Sequence, residues 1–127
     1  MKPDRMLTAS SLLAIVLLTL HFTDDIVRGF EPGGLNNMIG VAILVVWLVA
    51  TLLLRGRRIG YAILFLGSLL AAGIPALHLS GKGVGGAIAA SSGGFFFIWT
   101  LFALGVSGSF ALILTLHEAR AWRRGVG

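Results

Sequence analysis

His21, Asp24 and Asp25 stand at i, i+3 and i+4, a spacing that puts an imidazole and two carboxylates on one side of a helix. His78 ends a second apolar stretch, and Glu31 lies in the polar segment that follows Asp25. Imidazole with carboxylate is the ligand set of Zn²⁺ and related divalent ions. The same groups suit proton handling near neutrality. A pair of histidines on neighbouring helices is also the set that ligates haem in a helical bundle. The ordinary alternative needs no ligand: Asp24 and Asp25 are interfacial charges at a helix end, Arg28 pairs with one of them, and His21 reaches for the headgroups. The residues define no catalytic set and name no reaction or cofactor.

These residues must be positioned by four apolar runs, Met6–Thr23, Met38–Leu54, Ile59–Leu77 and Phe95–Leu116, none of which contains Asp, Glu, Lys or Arg. At 1.5 Å per residue such runs reach roughly 26 to 33 Å as helices, the thickness of a bilayer's hydrocarbon core. The expected fold is therefore all-α and integral to a membrane, with four transmembrane helices in an antiparallel up-down-up-down bundle. The whole chain, 1–127, forms one domain, with spans near 6–27, 37–54, 59–78 and 94–121. Lys2 and Arg5 before the first run imitate a signal peptide, but the run is long for one and no small-x-small cleavage site follows it. It reads as an uncleaved first helix. Gly29 and Glu31-Pro32-Gly33-Gly34 stop that helix. Asn36 or Asn37 is a candidate N-cap for the second.

Eight of the ten basic residues fall before the first run, between the second and third, or after the fourth; only Arg28 and Lys82 lie in the other two connections. This positive-inside pattern places both termini in the cytoplasm. It makes His21, Asp24, Asp25, Glu31 and His78 residents of the external mouth. The basic side reads as an orientation signal and a contact for anionic lipid, not a nucleic-acid surface.

Small residues mark where helices approach each other in lipid. Ser10, Ala14, Leu17 and His21 form one stripe, and Gly67, Ala71, Pro75 and His78 a second. On the fourth span Gly105, Gly108 and Ser109 mark a contact, with Gly105 and Ser109 the small-x-x-x-small pair. Both histidines continue inward stripes, which directs them into the bundle. Tyr61 and Trp122 fit one interfacial aromatic belt and Trp99 the other, while Trp47 falls mid-span, as a packed or lipid-facing aromatic.

Other motifs are weaker. His117-Glu118 lies at the opposite end and cannot join His21 and His78. Gly81-x-Gly83-x-x-Gly86 has the letters of a dinucleotide fingerprint without the strand that must precede it. The small, nearly uncharged segment 80–94 is either an external loop or a stretch that dips back toward the membrane.

The chain has no cysteine, which excludes thiol chemistry and quinone reductases that work through a Cys-x-x-Cys pair. No acid or base lies mid-span, where proton-coupled transporters keep one; small multidrug transporters, also of four helices, depend on a glutamate in the first. No motif identifies a family. Sequence alone thus favours a small bundle that acts as an interaction component of a membrane complex or homo-oligomer, its partner another membrane protein or itself. The alternative is a ligand-, metal- or haem-binding protein, or an enzyme, with its site at the external mouth.

Overall fold

A computed structural model describes residues 3–79, 84 and 86–125. Four helices form where the apolar runs lie: α1, Pro3–Val27; α2, Met38–Leu53; α3, Arg58–Leu77; and α4, Gly94–Arg123. All four are long and apolar enough to cross a membrane. A single 3₁₀ turn, Gly34–Asn37, leads into α2. Asn37 holds the N-cap position of α2, yet its side-chain amide donates back to the Pro32 carbonyl and leaves the helix uncapped. Gly29 ends α1 in the left-handed region, φ 76°, with the Phe30 amide returning to the Asp25 carbonyl at 2.9 Å.

Neighbouring helices run in opposite directions. Arg55, just past the end of α2, bonds to the Asp4 carbonyl and the Thr8 hydroxyl at the start of α1. Arg58 at the start of α3 lies over Trp122 at the end of α4. The broadest contacts are α3 on α4 and α1 on α4, and α2 is the outermost helix, with only Trp47, Ala50 and Thr51 buried. Trp47 is tied into the core, its indole pressed on Gly67 of α3 so closely that a Cβ there would come within 2.5 Å of it. The Ser11 and Thr51 hydroxyls join α1 to α2 at 2.8 Å.

The buried face of α1 is offset by one residue from the expected stripe. Leu7, Ser11, Ala14, Leu18, His21 and Asp25 are buried, whereas Ser10 and Leu17 sit half-buried on the flank. Their alternating spacing of four and three is the seam of an antiparallel bundle. The offset leaves His21 inward, because it belongs to both stripes. α3 buries Gly60, Leu64, Gly67, Ala71 and Ile74 with the same spacing, which places His78 next in line.

On α4, Gly105 and Gly108 make the close approach. A Cβ on Gly105 would meet Pro75 Cγ at 2.5 Å, and one on Gly108 would meet Ala71 Cβ at 2.6 Å. Ser109 corrects the expected pair, since it is exposed beside the contact. A helix turns 100° per residue, so Gly108 lies closer to the face centred on Leu104, Gly105 and Ala111 than Ser109 does.

Between α3 and α4 the chain does not stand clear of the bundle: Ile88 is buried in the core and Val84 packs against it. Residues 80–83 and 85, including Gly81, Lys82 and Gly83 of the glycine-rich motif, lie outside the described residues.

Gly105→Leu should overpack the Pro75 contact and cost about 1–3 kcal/mol, while Ser109→Leu should stay within about 0.5 kcal/mol. Denaturant titration of the two variants in mild detergent measures the difference; equal stability would place the Gly105 face away from α3.

Candidate site at the paired ends of α1 and α3

Three of the five candidate residues meet. His21 and Asp25 occupy the last two turns of α1, and His78 caps the C-terminal end of α3. The Nε2 atoms of His21 and His78 each lie 3.7 Å from Asp25 Oδ2. One ligand atom from each residue lies within 4.8 Å of the other two. The two imidazoles touch edge to face, with centroids 4.9 Å apart and planes at 77°.

Helix geometry chooses between the two aspartates. A residue at i+4 is rotated by about 40° from position i and one at i+3 by about 60° the other way. Asp25 continues the buried seam below His21, and Asp24 turns to the flank. There Asp24 accepts from Arg28 Nε at 2.7 Å, and Arg28 reaches on to the Ser91 hydroxyl at 2.9 Å. The expected pairing of Arg28 with one carboxylate therefore occurs, and it leaves the other carboxylate free for the histidines. Glu31 is exposed in the connection after α1; its backbone amide bonds to the Asp25 carbonyl at 3.4 Å, but its carboxylate is not part of the cluster.

Phe97, which is fully buried in the first turn of α4, lies beside both imidazoles, 5.2 Å from His21 and 5.7 Å from His78 between centroids. Sequence reasoning missed it. In a run beginning Phe95-Phe96-Phe97, nothing local distinguishes the inward ring from the outward one; Phe95 is 83% exposed. The signal that was available is the seam itself, since Phe97, Leu101, Leu104, Gly108, Ala111 and Thr115 repeat the four-three spacing.

The hydrogen bonding of the site is unbalanced. His78 Nδ1 lies 3.1 Å from the Ile74 carbonyl. A carbonyl can only accept, so Nδ1 carries the proton of this bond, and Nε2 is the ring atom turned toward the Asp25 carboxylate. Nε2 and Asp25 Oδ2 lie 3.7 Å apart, beyond hydrogen-bond distance. Both ring nitrogens of His21 and Oδ1 of Asp25 are buried and have no hydrogen-bond partner among the described residues. Polar atoms in apolar surroundings cost several kcal/mol each when left this way. The ends of α1 and α3 add the negative pole of two helix dipoles to the same place. A cation shared among His21 Nε2, His78 Nε2 and Asp25 Oδ2 would give His21 Nε2 a partner and offset the carboxylate and the two helix ends. An imidazole donating its other N–H to a backbone carbonyl is also the usual outer support of a metal ligand.

A tetrahedral ion with bonds of ~2.0–2.1 Å holds its ligand atoms roughly 3.4 Å apart. The two 3.7 Å separations need only a few tenths of an ångström of closure, and the longest separation needs a rotation of one ring. Haem fits less well, because imidazoles in edge contact at 4.9 Å leave no gap for a porphyrin between them. His117 lies at the opposite end of α4, exposed beside Glu118, apart from this cluster.

No protein-family model, curated protein or solved structure matches this chain.

Phe97→Ala should cost about 3–5 kcal/mol through the cavity it leaves, and should release both imidazoles from their wall. Chemical denaturation in detergent checks the cost; a loss below about 1 kcal/mol would mean that the ring does not pack as described.

Proposed function

We propose that this chain is a membrane-embedded bundle that binds one divalent transition-metal ion of the zinc class at the paired ends of α1 and α3. His21, His78 and Asp25 are the protein ligands, and the remaining position faces the mouth of the bundle. The observation that carries the reading is the convergence of one ligand atom each from His21, Asp25 and His78 within 4.8 Å, with both ring nitrogens of His21 buried and unpartnered among the described residues. His21 is 2% exposed, so it cannot exchange this arrangement for water contacts as a snorkelling residue would. His78 is 27% exposed in its side chain and supplies the open side through which an ion and a fourth ligand enter.

The eight-to-two distribution of basic residues supports an orientation with both termini cytoplasmic and the metal site on the external face. A role as an assembly component of a membrane complex or homo-oligomer has less support. The glycines that favour it on sequence grounds are occupied within the chain, Gly67 by Trp47, Gly105 by Pro75 and Gly108 by Ala71.

Two expected outcomes follow from this reading. Purified protein equilibrated with zinc and then freed of excess should retain one ion per chain by elemental analysis. His21→Ala, His78→Ala and Asp25→Asn should each abolish retention, and His117→Ala should not. Acidification should strip the ion, because protons compete for the ligand lone pairs. Failure of the unmodified chain to retain zinc or cobalt, or equal retention by the His78→Ala protein, would remove the site. For the orientation, a reporter that works only in the cytoplasm should be active when fused after Gly127. Activity of an external-only reporter at that position would invert the topology.

A further inference from the structure

At the end of the bundle opposite His21 and His78, α3 and α4 line a cleft of about 720 Å³. Its rim carries Arg58 from α3 and Arg123 from α4, together with Tyr61 and Trp122, and its inner walls include Phe65 and Leu116. The aromatic side of the rim is organised: the Arg58 guanidinium lies 5.4 Å from the Trp122 ring, and Tyr61 faces Trp122 at 6.4 Å between centroids. No carboxylate lines the cleft, and neither arginine makes an ion pair among the described residues. The nearest acid in sequence, Glu118, sits 3.5 Å from His117, and its charge also bears on Tyr61 at the rim.

We infer that this cleft is a binding site for one anionic phospholipid, with the phosphate between Arg58 and Arg123 and an acyl chain along Phe65 and Leu116. Charge complementarity selects the headgroup, since two unpaired guanidinium groups from different helices converge on one opening. Arginine is suited to phosphate oxygens, and stacking on an indole presents its N–H edge without loss of the cation–π contact. The change from charged rim to apolar wall selects an amphiphile over a free anion. From Arg58 to Phe65 the helix rises roughly 10 Å, enough to pass from headgroup level into the acyl region. A soluble phosphate would satisfy the arginines and leave the apolar walls unfilled. A second copy of the chain would bring its own arginines to the same rim. This inference does not depend on the metal site, which lies at the other end of the bundle.

Native mass spectrometry of the detergent-purified full chain, mixed with phosphatidylglycerol or phosphatidylcholine, tests the assignment. One phosphatidylglycerol should be retained in preference to phosphatidylcholine by about tenfold or more. The preference should disappear in the Arg58→Gln/Arg123→Gln protein. It should persist in an Arg57→Gln/Arg124→Gln control, which removes the same charge from exposed positions at the same end but outside the cleft. Both variants change exposed side chains, and an unaltered helical circular dichroism spectrum verifies that the fold is retained. Equal retention of the two lipids by the unmodified protein would overturn the inference. So would equal loss in both double variants, which would show diffuse attraction only, or a preference that survives the loss of Arg58 and Arg123.

Discussion

The close approach of α3 to α4 is the contact on which the rest of the bundle depends. In a bilayer, lipid is as apolar as a leucine side chain, so helices gain little from merely hiding apolar surface and associate through tight packing. Gly105 admits Pro75, and Gly108 admits Ala71, at distances that no larger residue would permit. That contact brings the first turn of α4 alongside the last turn of α3, so that Phe97 lies beside His78. Because α1 packs on the same helix α4, His21 arrives beside the same ring and against His78. The geometry of the polar cluster is thus a consequence of glycine contacts one to three turns away from it.

Polar groups elsewhere in the bundle are satisfied locally. Thr8, Ser10, Thr19, Thr23, Thr51, Thr100 and Thr115 each donate to the carbonyl four residues earlier in their own helix. This device needs no partner helix and suits a hydroxyl in lipid. Trp47 Nε1, Ser68 Oγ and Asp4 Oδ1 lack it; the first two are single neutral groups, and the other oxygen of Asp4 lies 3.7 Å from Arg55. The cluster of His21, Asp25 and His78 differs in kind. It gathers three side chains able to ligate a metal at one point, beside the negative ends of two helices. That convergence is the basis of the proposed metal site.

Much of this was legible in the residues. The helices could be placed because charge-free runs of membrane length leave few alternatives, and breakers such as Gly29 and Pro32 marked the first boundary. The convergence of His21 with His78 could be anticipated because both continue inward stripes on the same side of the topology. Finer features were hidden by near-equivalence. Ser10 and Ser11, or Leu17 and Leu18, differ in direction and not in chemistry, so the register of the α1 seam emerges only when α4 and Thr51 are in place. Asp24 and Asp25 are chemically identical, and Arg28 together with Ser91 separates them through a contact sixty-three residues apart in sequence. Phe97 was concealed among three consecutive phenylalanines. Ser109 was mistaken for a contact residue because a four-residue spacing from Gly105 takes no account of the position of Ala71.

The central claim is that two imidazoles and one carboxylate from two helices, α1 and α3, hold the same ion. X-ray absorption at the zinc edge of the loaded full chain addresses it directly. The expected spectrum has a first shell of nitrogen and oxygen at ~2.0–2.1 Å, with outer-shell scattering from two imidazole rings. A zinc shell of oxygen alone, with no imidazole scattering, would contradict it.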